Sequence, residues 1–82
     1  MKKTVRVTID VEVTIDESKF DEKMMREFIE DFYNFPYIED HIKYLAQLEA
    51  RELAGEFIEG YGDVSEYGIE LMVVDQEEKI ID

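Results

Sequence analysis

From Thr4 to Asp16 the chain alternates without a fault. Val5, Val7, Ile9, Val11, Val13 and Ile15 fall on one side, and Thr4, Arg6, Thr8, Asp10, Glu12, Thr14 and Asp16 on the other. A period of two carried by β-branched residues describes a strand with one face on a core and one in water. A slip of one residue would invert every side chain, so this pattern also sets which face is buried. The run is about twice the usual strand length. It either bends at a bulge or meets more than one partner along its length.

The remaining elements are helical before they return to strand. Phe20, Met24, Phe28 and Phe32, flanked by Met25, Ile29 and Tyr33, give a broad apolar face to a helix within Ser18 to Asn34. Ser18 with Asp21 forms one candidate start. Asp21 as N-cap, with Phe20 stapled to Met25, is the preferred one. Asn34-Phe35-Pro36 ends the helix, because proline drives its predecessor out of the α region.

A second helix is expected from Tyr37 to about Gly60. Its apolar face drifts, from Tyr37, His41, Ile42, Tyr44, Leu45 and Leu48 to Ala46, Ala50, Leu53 and Phe57. The helix therefore bends near Gln47 or packs its halves on different things. Gly55 lies inside it at a cost of about 1 kcal/mol relative to Ala.

Gly60-Tyr61-Gly62 reads as a turn. Asp63-Val64-Ser65-Glu66 reads as a capping box opening one helical turn that Gly68 closes. A strand over Ile69 to Val74 follows, with Asp75-Gln76-Glu77-Glu78 turning into a short strand at Lys79-Ile80-Ile81. The expected fold is one α+β domain over residues 1–82, β-α-α-β with an optional last β. It is a small antiparallel sheet with two helices on one face. Exposed sheet edges make a homodimer plausible.

The charge is extreme for a folded chain. Twenty-two Asp and Glu face nine Lys and Arg, a net charge of −13, although 45% of the residues are hydrophobic. An acidic disordered tail lacks such an apolar share. Self-repulsion of this size costs stability, which points to a working surface. It disfavours direct contact with nucleic acid or anionic lipid, and favours a basic host protein or protein–nucleic acid complex. The absence of Cys excludes disulfides and thiolate metal sites, and fits a reducing cytoplasm. No apolar run approaches a membrane span.

Glu49, Glu52, Glu56 and Glu59 are spaced three, four and three apart, which on a continuous helix makes one acidic row. Steps of about 5 Å would resemble the charge spacing of a phosphate backbone. Asp63 and Glu66 extend this candidate partner-binding surface past the turn. The competing reading is an ordinary solvated helix face.

No catalytic or metal constellation stands out, and no cofactor is expected. His41 shares its helix face with Tyr37, Ile38, Tyr44 and Leu45, so it lacks a second ligand and reads as a partly buried residue bonded near Tyr37 or Tyr44. Carboxylate pairs are inevitable in so acidic a chain and carry no catalytic information. Asp63-x-Ser65 starts like a calcium loop, but Tyr67 and Gly68 break the ligand pattern. The aromatic set reads mostly as core, with Tyr33, Tyr37, Tyr61 and Tyr67 partly exposed near turns.

The segments His41-Ile42, Ala46-Gln47-Leu48, Arg51, Phe57-Ile58-Glu59-Gly60-Tyr61-Gly62 and Gly68-Ile69 resemble a family of small acidic phage and prophage proteins of unknown function. The opening strand followed by Phe20-Asp21-Glu22-Lys23-Met24-Met25 is similar as well. The resemblance would cover most of the chain, and its most specific element is the stretch from Phe57 to Gly62. It carries no assigned activity, so it transfers no site. It implies a phage accessory protein in a bacterial cytoplasm, in the manner of inhibitors of host defence, anti-CRISPR and anti-restriction proteins among them. The leading expectation is thus a non-enzymatic inhibitor acting through its acidic half. The alternative is an oligomeric structural or accessory protein whose charge serves solubility.

Overall fold

The computed structural model describes all residues from Met1 to Asp82. The elements are β1 (Val5–Thr14), α1 (Glu22–Asp31), α2 (Ile38–Ala50), β2 (Phe57–Ile58), β3 (Gly62–Asp63) and β4 (Glu70–Ile80). Short 3-10 helices occupy Glu17–Lys19 and Val64–Tyr67. Two helices and a small antiparallel sheet in the order β-α-α-β make this an α+β fold.

β1 has one partner, β4, antiparallel along its whole length. The register runs from Val5 opposite Ile80 to Thr14 opposite Glu70. It shifts between Asp10, opposite Asp75, and Val11, opposite Val73, so Val74 is the extra residue of a β-bulge. The extra residue lies in β4, so the bulge bends that strand, and β1 itself carries no insertion. The expected turn at Asp75 to Glu78 does not exist, because β4 runs through it to Ile80. Those acids are poor strand formers, but the unbroken β1 beside them supplies a continuous ladder. β2 and β3 form a separate two-stranded hairpin.

The helix starts follow their caps. The Asp21 carboxylate accepts the Met24 N–H at 2.9 Å and opens α1. At α2 the Asp40 carboxylate accepts the Tyr37 N–H at 3.1 Å. Gly68 closes the second 3-10 helix in the left-handed conformation, as its position suggested. A Cβ there would stand 2.8 Å from the Cβ of Asp16. That approach lets Asp16 N–H donate to Tyr67 C=O at 3.0 Å, joining the two 3-10 helices.

The second helix stops ten residues short of the expected Gly60, at Ala50. Leu53 N–H donates to Leu48 C=O at 2.8 Å and Glu52 N–H to Glu49 C=O at 3.0 Å. This pair of bonds is a Schellman motif, which normally places glycine at the left-handed position. Here Glu52 holds it at φ 59°. Gly55 therefore lies in a loop, with open space where its Cβ would be.

Phe20, Phe28, Leu45, Ile58, Tyr61 and Ile69 form the buried core, together with His41. α2 lies against β1 and β4, while α1 reaches the core through Phe28. The expected inward set is only partly correct. Ile9, Val11 and Val13 are half-buried, and Thr8, Asp10 and Glu12 are exposed as the alternation required. Val5 and Val7, however, are 48% and 53% exposed, and Phe32, Leu53 and Phe57 also face solvent. The molecule measures 51 × 22 × 19 Å with a radius of gyration of 15.1 Å. A compact chain of this length would have about 12 Å. The difference is the far half of the β1–β4 ribbon, which extends beyond the helices.

Candidate protein-binding surface

Because α2 ends at Ala50, the acidic residues do not form a row. Glu49 is half-buried in the last turn of α2, Glu52 terminates it, and Glu56 and Glu59 flank β2. Glu49 and Glu56 line one shallow depression with Ala54, Val64, Ile69 and Leu71. Glu59 faces another, with Asp31, Phe32, Tyr33 and Tyr44. Glu66 borders a third beside Lys19 and Lys23. Four of the six candidate residues thus fall in three separate depressions while Glu52 and Asp63 line none of them, and the regular spacing of about 5 Å that an unbroken helix would impose is lost.

Asp63 is structural as well as exposed. Its carboxylate accepts Ser65 N–H at 3.0 Å and the Ser65 hydroxyl at 2.7 Å. Asp16 makes the same turn with Ser18, at 3.0 and 2.6 Å. These bonds favour the charged form and hold both carboxyls below the usual aspartate range.

The charge is not neutralised from within. Hydrogen-bonded carboxylates use backbone N–H groups, Ser hydroxyls and the Gln76 amide, and none takes a hydrogen bond from Lys or Arg. Beside these acids stand two large apolar side chains that the helical spacing had placed in the core, Leu53 at 66% and Phe57 at 72% exposure. Their four-residue separation fits a helix face equally well, so the sequence carries no signal of their exposure. Only the termination at Glu52 turns them outward.

His41 is fully buried, with Nδ1 sharing a hydrogen bond of 2.8 Å with the Tyr61 hydroxyl. The partner is Tyr61, from the hairpin, and not Tyr37 or Tyr44. Phe28, Phe35 and Phe20 stand edge-to-face against its ring at 4.7, 5.3 and 5.4 Å. Nε2 has no hydrogen-bond partner. Burial pushes the His41 pKa below its ordinary value, against the opposing charge of Asp40. Burial also raises that of Tyr61. The pair is a neutral core bridge between α2 and the hairpin.

No group of three or more His, Cys, Asp or Glu is placed to hold a metal ion. No helix is long and apolar enough to cross a membrane. No family model matches the chain, and no curated protein or solved structure is similar to it at a significant level.

Proposed function

We propose that this chain is a non-enzymatic inhibitor that binds a basic, nucleic-acid-handling protein of a bacterial host, as a phage-type accessory protein in the host cytoplasm. The observation that carries this reading is the net charge of −13 with no carboxylate hydrogen-bonded to Lys or Arg. A surface that retains its charge steers toward a positive partner and accelerates encounter. The binding region is the loop and hairpin from Glu52 to Glu59. There exposed Leu53 and Phe57 supply apolar anchors among acids, and a buried aromatic anchor contributes most of the energy in many interfaces. The partner's natural ligand is polyanionic, so the acids compete for the same basic groove without the regular spacing of a phosphate backbone.

The test starts with capture from host lysate at low and high salt. Affinity for the captured nucleic-acid-handling protein is then measured at two ionic strengths. Changing Glu52, Glu56 and Glu59 together to Gln is expected to weaken binding and flatten its salt dependence. Phe57→Ala is expected to weaken binding without altering the salt slope. Unchanged affinity and slope in the triple variant would remove the acidic surface from the mechanism.

A further inference from the structure

β1 is hydrogen-bonded on one side only. Ile81 N–H donates to Thr4 C=O at 2.9 Å, so antiparallel alternation assigns Thr4, Arg6, Thr8 and Asp10 to the β4 side. The N–H and C=O groups of Val5, Val7 and Ile9 then point to the open edge. This edge is also polarised: Lys2, Lys3 and Arg6 precede Asp10, Glu12 and Asp16. Within the chain that polarity is wasted, because Arg6 stands opposite Lys79 and Asp10 opposite Asp75. Like charges directly across a sheet destabilise it.

We infer that β1 pairs antiparallel with β1 of a second copy, about a two-fold axis through Thr8, to give a continuous four-stranded sheet. A basic-then-acidic strand is complementary to itself only in the antiparallel sense. In this register Arg6 of each copy faces Asp10 of the other, twice per dimer. Val7 faces Ile9, and Val5 faces Val11. An axis normal to the sheet keeps all these apolar residues on one face. The exposed Val5 and Val7 of each copy thereby come beside the half of the second copy's β1 that its α2 covers. Each helix shelters the valines that the other chain leaves bare. A two-stranded ribbon is marginal alone, whereas a four-stranded sheet with a helix layer is not. The opposite edge cannot serve, since Glu70, Asp75, Glu77 and Glu78 of β4 would meet acids of their own kind.

The test is the mass in solution, by light scattering and sedimentation across the micromolar range, and it does not involve the partner of the acidic surface. The wild type is expected to be a dimer. Arg6→Glu and Asp10→Lys each place like charges across the dyad, and each is expected to weaken self-association by roughly tenfold or more. Within the chain the same changes turn Arg6–Lys79 and Asp10–Asp75 into opposite-charge pairs, so neither variant is expected to lose the fold of the single chain. Mixed together, the two variants are complementary at both contacts and are expected to recover the dimer. A wild type that stays monomeric overturns the inference. So do single variants that stay dimeric, or variants that fail to associate on mixing.

Discussion

The two ends of this molecule obey the same sequence pattern and meet different fates. At one end His41 and Tyr61 are enclosed by Phe20 and Phe28, and the alternating strand is half-buried at Ile9, Val11 and Val13. At the other end the identical alternation leaves Val5 and Val7 in water, with like charges opposed across the ribbon. Alternation therefore decides which face a residue takes, and only the layer above it decides whether that face is covered. Stability should be concentrated in the aromatic body and nearly absent from the ribbon of a single chain.

The sharpest break of this contrast is at Phe28, which is buried among rings. Phe28→Ala is expected to cost about 3–5 kcal/mol in urea unfolding. A cost below about 1 kcal/mol, within the range of an ordinary surface change, would mean that the body is not the stable part.

Gly60 should come next. It lies at φ 96° with Phe28 Cε2 2.6 Å from where a Cβ would sit. Gly60→Ala combines a left-handed backbone with overpacking of the central ring, and is expected to cost about 2–3 kcal/mol. The same unfolding measurement checks it.

Acid reaches the body through His41. Its pKa is lowered in the fold from the ordinary 6.5, so the unfolded chain binds the proton more readily. The stabilisation is complete above 6.5 and is lost as pH falls toward the folded pKa. The carboxyls of Asp16 and Asp63, lowered in the fold, also lose stabilisation on acidification. The measurement is therefore the difference in unfolding free energy between wild type and His41→Gln from pH 7.5 to 5. That difference is expected to shrink as pH falls, and a constant difference would show that the His41 pKa is the same in the folded and unfolded chain.

Glu52 sharpens the comparison at the boundary of the body. Its left-handed backbone costs a residue with a side chain about 1 kcal/mol relative to glycine. Glu52→Gly is expected to raise stability by about that amount, seen as a higher urea midpoint with unchanged slope. At the far end, Val7→Thr measured in dilute protein is expected to change stability by no more than about 0.5 kcal/mol. A large loss there would show that the ribbon is already packed in a single chain.

Much of the fold was legible in the chain. The β1 alternation, the Asp21 cap and the closing Gly68 are read from residues a few positions apart, because caps and strand faces are local physics. The reading failed where a distant partner decides. β4 continues through Asp75-Gln76-Glu77-Glu78 because β1 stands beside it, not because those residues favour a strand. α2 stops at Ala50 through a motif whose usual glycine is a glutamate, so nothing in the local chemistry announced the end. The acidic site inherited that error: Glu49, Glu52, Glu56 and Glu59 are a row only on a helix that does not exist.

By itself the sequence determined the amount and sign of the charge, the β-α-α-β order of the main elements, and the face each β1 residue takes. These follow from composition and from periods of two and three to four residues, which need no distant contact. The tertiary structure alone decided that His41 bonds Tyr61, twenty residues away in sequence, that Leu53 and Phe57 face outward, and that half of β1 projects beyond the helices. Burial belongs to what lies across from a residue in space. In so small and highly charged a chain there is too little core to cover every apolar face the pattern offers.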